Sequence, residues 1–158
     1  MSDAPEVAIL RKLMIAADAI LAGADDALAL LGPLPASVPA FLTLDATQRT
    51  AARALLKVVE QAQDVLARIF RTYLLAEQVD ISTMTARDIA NRMEKYGLLA
   101  GADQWSGLVR LRNRLAHEYP VSPTEQLERV TDAAAAVPTL RAIRDGLVIP
   151  LRAKGYAP

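Results

Sequence analysis

The chain has 158 residues, 53% of them hydrophobic and only 4% aromatic, and its eighteen basic and eighteen acidic side chains cancel to a formal net charge of zero. That length suits one domain with a single core, and an apolar fraction so poor in aromatic residues favours helices packed on helices. Zero net charge excludes a uniformly basic nucleic-acid binder and leaves only a local patch for such a role, the lack of cysteine excludes disulfides and thiolate chemistry, and a single histidine argues against a zinc site.

The N-terminal stretch MSDAPEVAILRKLM has no basic region ahead of an apolar run, so it does not read as a secretory signal. No stretch approaches the roughly 18 uninterrupted apolar residues of a membrane span. The most apolar region, Val7 to Leu31, is broken by Arg11, Lys12, Asp18, Asp25 and Asp26. A soluble, cytoplasmic chain without a membrane partner is expected.

Val7, Leu10, Met14, Ala17, Leu21, Ala24, Leu28 and Leu31 recur at spacings of three and four, which predicts a long first helix with one apolar stripe. Asp3 is placed to cap its start, and Gly32-Pro33 stops it. GPLPASVPAFLTLD, with three prolines but also Phe41, Leu42 and Leu44, reads as an ordered connection. Asp45 then caps a second long helix, with Gln48 placed to reach back. Leu55, Val59, Ala62, Leu66, Ile69 and Tyr73 form its inner stripe, and Arg53, Lys57, Glu60, Asp64 and Arg71 its outer side.

A third helix is expected from near Thr85, burying Ile89, Met93 and Tyr96 and ending at Gly97. A fourth follows Asp103, with Trp105, Leu108, Leu111 and Leu115 inward, and must end by Pro120. In Ser122-Pro123-Thr124-Glu125, serine is an N-cap, proline fits the first turn and glutamate completes a capping box. Leu127, Val130, Ala134 and Val137 continue that fifth helix until Pro138 bends or breaks it, and an irregular tail is expected from about residue 148. No segment has a strand period. The expectation is one all-α domain over residues 1–158, an antiparallel bundle of about five helices.

There is no glycine-rich phosphate loop, no nucleophile elbow and no metal-ligand spacing. Glu60 and Asp64, four apart, share a helix face; with no matching histidine or second carboxylate pair, a solvated or ion-paired surface explains them better than a site does. The densest chemistry lies in VRLRNRLAHEYP, residues 109–120, where Arg110, Arg112 and Arg114 precede the sole histidine, His117, and Tyr119 follows. Basic side chains at a helix C-terminus gain roughly 0.3–1 kcal/mol each from the macrodipole, so a merely structural helix end is one reading. Arg112 and His117 are about 140° apart on a straight helix and converge only if it ends near His117 or a second copy intervenes, whereas Arg112 and Tyr119 would share a face. Phosphodiester cleavage uses a base and an acid, and a two-fold dimer would supply the second imidazole.

Arg112-Asn113-Arg114-Leu115-Ala116-His117-Glu118-Tyr119 resembles the RX4HXY motif of the HEPN family, and most closely its HepT-like branch. ARDIANRMEKYGLLAGADQWSGLVRLRNRLAHEYP is similar to the third and fourth helices of that branch, and the likeness extends over most of residues 45 to 130. Glu60 and Asp64 fall where the branch often carries acidic residues. The resemblance implies a homodimeric, metal-independent endoribonuclease, needing no cofactor, that acts as the toxin of a toxin–antitoxin pair. His117 would take the proton of the ribose 2′-hydroxyl, and Arg112 would hold the phosphate. Asn113 would orient His117 or a phosphate, and Arg110 stands at a second spacing open to the arginine. Tyr119 would receive adenylate from a minimal nucleotidyltransferase antitoxin, silencing the enzyme. The alternative is a non-catalytic helical dimer that binds a nucleotide or that nucleotidyltransferase, and the plainest is a bundle in which His117 only ends a helix.

Overall fold

A computed structural model describes residues 4–158 and contains, among them, six helices and no strand. α1 (Pro5–Leu31) buries Val7, Leu10, Leu13, Met14, Ala17, Leu21, Ala24, Ala27 and Leu31, the expected stripe, with Leu28 only partly covered at its edge. Asp3, expected as its cap, lies outside the described residues; Pro5 occupies the first turn after Ala4, which makes no side-chain cap. Gly32, at φ 72°, ends the helix by returning its N–H to the carbonyl of Leu28.

The proline-rich connection contains a helix that periodicity missed, α2 (Val38–Leu42), which buries no residue. Ser37 accepts from the Ala40 N–H, and Pro39 fits the first turn. α3 (Ala46–Ala76) starts with both limbs of the expected capping box: Gln48 N–H donates to Asp45 at 2.8 Å, and Asp45 N–H to Gln48 at 3.0 Å. The Gln48 amide also donates to the carbonyl of Leu31, so one side chain starts α3 and closes α1.

α4 (Ala86–Lys95) is capped by Thr85 and Asp88 and buries Ile89, Ala90 and Met93. Tyr96 is not buried as expected. Gly97, at φ 77°, turns the chain so that Leu98 N–H reaches the Met93 carbonyl, which sends Leu98 into the core and leaves Tyr96 outside, beside Arg92. α5 (Ala102–His117) begins before Asp103 rather than after it, because Glu94 accepts from the Ala102 N–H and Asp103 turns outward to Arg87. Trp105, Leu108 and Leu111 are buried and Leu115 is half-buried.

α6 (Pro123–Ala153) departs most from expectation. Ser122 caps it, but Glu125 reaches the N–H of Val121 rather than closing the box on Ser122. The helix runs through Pro138 and Pro150, so neither a break nor an irregular tail from 148 occurs. An interior proline costs about 3 kcal/mol. Val130, Ala133, Val137, Leu140, Ile143, Leu147 and Leu151 form one buried stripe on both sides of the prolines, and burying each Val, Leu or Ile is worth about 1.5–3 kcal/mol, so packing wins.

Paired residues fix the directions of the helices. Asp18 with Arg144 and Asp25 with Arg141 set α1 antiparallel to α6, and Gln48 with Leu31 sets it antiparallel to α3. Asp64 with Arg112 and Phe70 with Trp105 set α5 antiparallel to α3, and Arg114 with Asp132 sets it antiparallel to α6. The result is an all-α antiparallel bundle of α1, α3, α5 and α6, with α4 packed beside α5 and α3. α3 and α6 meet along the centre, while α1 and α5 lie on opposite sides and do not touch. No helix among the described residues is long and apolar enough to cross a membrane.

Candidate functional site

Arg112 is positioned by the heart of the bundle. Its neighbour Leu111 is buried against the core, which turns Arg112 along the α3 side, where Asp64 accepts both Nε at 2.8 Å and Nη2 at 3.1 Å. This two-pronged contact, with Glu60 nearby, holds the guanidinium's pKa above its ordinary value, chiefly through the Asp64 hydrogen bonds. The remaining nitrogen, Nη1, lies 3.5 Å from Nε2 of His117. A guanidinium only donates, so in this contact Nε2 can serve only as the acceptor. At that separation one phosphate oxygen or hydroxyl placed beside the pair can reach both nitrogens at hydrogen-bond distance.

His117 is the last residue of α5 and Glu118 beyond it is extended at φ −109°, ψ 114°, so the ring stands at the open helix end, within reach of the long Arg112 side chain. The same ending separates Arg112 from Tyr119, which do not share a face as expected. Tyr119 is 86% exposed in the segment between α5 and α6.

That segment is fastened from α6 by Arg129, which no motif or periodicity in the chain singles out. Its Nη1 donates to the Arg114 carbonyl at 2.8 Å and to the Glu118 carbonyl, and Nη2 pairs with the Glu118 carboxylate at 3.6 Å. The Arg114 carbonyl also accepts from the Glu118 N–H, so Arg129 adds a second donor at the helix end, and the one available signal was that end itself. Asp132 holds Arg114 at 3.2 Å. A cavity of about 230 Å³ lies here, lined by Leu56, His117, Tyr119 and Arg129. It adjoins a larger one of about 430 Å³ lined by Phe41, Arg49, Arg53, Tyr119 and Val130.

The other candidates separate. Arg110 is exposed and lies back along its own helix, its Nη2 3.7 Å from where a Cβ on Gly107 would sit. Arg112, not Arg110, is therefore the arginine beside His117. Asn113 is exposed with no hydrogen-bond partner among the described residues, so it does not orient His117. Glu60 pairs with Lys57 at 3.4 Å and reaches the site only through its charge on Arg112. Among the described residues no group of three or more His, Asp or Glu side chains could hold a metal ion.

Comparison with protein-family models, with curated proteins and with solved structures returned no match.

Proposed function

We propose that this chain is a HEPN-like, HepT-like toxin: a metal-independent endoribonuclease that works in the cytoplasm as a homodimer. A partner nucleotidyltransferase silences it by adenylylating Tyr119. The observation that carries the reading is the approach of Arg112 Nη1 to within 3.5 Å of His117 Nε2 at an exposed helix end. In the reaction, Nε2 takes the proton of a ribose 2′-hydroxyl while the 2′-oxygen attacks the adjacent phosphorus. Arg112 Nη1 donates to the phosphoryl oxygen that gains charge. The P–O5′ bond breaks, leaving a 2′,3′-cyclic phosphate and a 5′-hydroxyl. The leaving oxygen takes its proton from the imidazolium of the second copy's histidine, since each chain owns one. Exposed Tyr119 suits modification by a partner, and Arg49 and Arg53, which line a cavity with it, would meet the phosphate of the added group.

One observation favours the non-catalytic alternative, a helical dimer that binds a nucleotide or a nucleotidyltransferase: Asp64 already occupies two of the three guanidinium nitrogens of Arg112. The deciding experiment is induction of the chain alone, wild type beside His117→Ala at equal soluble expression, with cellular RNA examined for new 5′-hydroxyl ends. Growth arrest and new ends with wild type only are expected. Equal growth and intact RNA in both would give the field to the binding protein.

A further inference from the structure

On the far side of Arg112 from His117, α3, α5 and the start of α4 enclose a cavity of about 480 Å³, within the roughly 300–1,000 Å³ usual for small-molecule sites. Its floor is apolar, formed by Ile89, Phe70 and Trp105. Gln63 lines it while only 5% exposed, and its side-chain amide has no hydrogen-bond partner among the described residues. Neither end of that amide is committed within the protein, so a ligand in the cavity can meet both its donor and its acceptor. At the mouth stand Arg68 and Arg71, whose guanidinium groups likewise have no partner among the described residues. Asp64, the one acid on the wall, has both oxygens turned to Arg112, so the open charge facing the cavity is positive.

An apolar slot, one amide able to donate and accept at once, and two free guanidinium groups at the rim match a flat base carrying a phosphate. A glutamine amide pairs in this two-pronged way with the N6 and N7 edge of adenine. We propose that this cavity is an adenosine 5′-phosphate subsite, in which Gln63 reads the adenine edge and Arg68 with Arg71 hold the phosphate. The ligand is either a free nucleotide or an adenosine residue of an RNA chain. The second case, with the residue flanking the phosphate at Arg112, rests on the ribonuclease reading; occupancy of the cavity does not.

Trp105, the only tryptophan of the chain, lines the cavity, so its emission reports occupancy directly. The titration uses the full-length His117→Ala protein with AMP, UMP, oligoadenylate and oligouridylate, and wild type is assayed for cleavage in parallel. Adenine ligands should shift Trp105 emission saturably and bind at least about fivefold more tightly than uracil ligands. Gln63→Leu should erase that preference; Gln63→Glu, which lacks the amide donor, serves the same purpose if the leucine variant does not fold. Arg68→Ala and Arg71→Ala should weaken both base types alike and each lower the salt slope of oligonucleotide binding by about one. Binding of AMP without oligoadenylate assigns the site to the free nucleotide, and binding of both in competition assigns it to RNA. Binding of oligoadenylate that wild type does not cut removes the ribonuclease reading and leaves the subsite standing. No response of Trp105 to any adenine ligand, or an adenine preference that survives in both Gln63 variants, overturns the proposal.

Discussion

The carboxylate of Asp64 on α3 holds Arg112 on α5, 48 residues later, through two nearly parallel hydrogen bonds of 2.8 and 3.1 Å. With Nε and Nη2 fixed in this way, Nη1 is the nitrogen that faces His117. Asp64 thus acts as a positioning residue. Asp64→Ala frees the guanidinium to swing into solvent, and under the ribonuclease reading RNA cleavage should fall by about 10–100-fold, as for the loss of partners that orient site residues elsewhere. Stability should fall by no more than about 1 kcal/mol, since both side chains are partly exposed and screened by solvent. Asp64→Asn, which keeps one acceptor, should retain intermediate activity. Full cleavage by the alanine variant would show that Arg112 needs no guide.

Arg129 makes a separable prediction about the chain that carries Tyr119. Its side chain is largely covered and donates to the carbonyl of Arg114, in the last turn of α5, and to that of Glu118, just beyond it. Charged hydrogen bonds of this kind are worth about 1.5–3 kcal/mol. Arg129→Ala should lower the urea midpoint by the equivalent of about 1–3 kcal/mol and speed amide exchange at Glu118 and Val121 more than in α1. Unchanged exchange there would mean that Glu125, through the Val121 N–H, suffices to hold the segment.

The long helices were legible in the sequence because their buried residues recur at three and four, and their starts because Asp45, Thr85 and Ser122 have cap chemistry. α2 was not, since five residues that bury nothing leave no period; only Ser37, two residues ahead of Pro39, has start chemistry. The meeting of Arg112 with His117 was half legible. The sequence allowed it if the helix stopped in time, but could not choose between Arg110 and Arg112, because the choice is made by Asp64 from another helix. Gln63, inside an apolar stripe, looked like any interruption of it.

The reading of Pro138 as a break failed through an interaction that local sequence does not contain, and it yields a prediction. Pro138 is exposed, and the helix is held on the opposite side by Val137, Leu140 and Leu147. Pro138→Ala restores one backbone hydrogen bond on the solvent side and relieves the ring's clash, against a gain in unfolded-chain freedom of about 0.4–1 kcal/mol. The variant should be more stable by roughly 1–2 kcal/mol. Leu147→Ala, at a position with no exposure, should instead cost about 2–5 kcal/mol. A destabilised Pro138→Ala would mean that the proline shapes a bend on which α1 and α3 depend.

The C-terminal end of the bundle should respond to pH through Glu77. Lys154 donates to its carboxylate at 2.6 Å and Tyr156 at 2.9 Å, and these bonds, that of Lys154 foremost, hold its pKa below the ordinary 4.5. A depressed folded-state value means that the contribution is fully present above the unfolded value and is lost as pH falls through the folded one. The same contact raises Lys154 above 10.5, so on the alkaline side its share persists until pH passes that raised value. Between these limits the contact should be insensitive to pH. Urea unfolding of wild type and Glu77→Gln at a series of pH values provides the check. The two curves should lie apart at neutral pH and converge as pH drops below the glutamate range. Curves that stay parallel down to acid pH would place the acid sensitivity of the fold elsewhere, with the Asp18–Arg144 and Asp25–Arg141 ties between α1 and α6 the next to test.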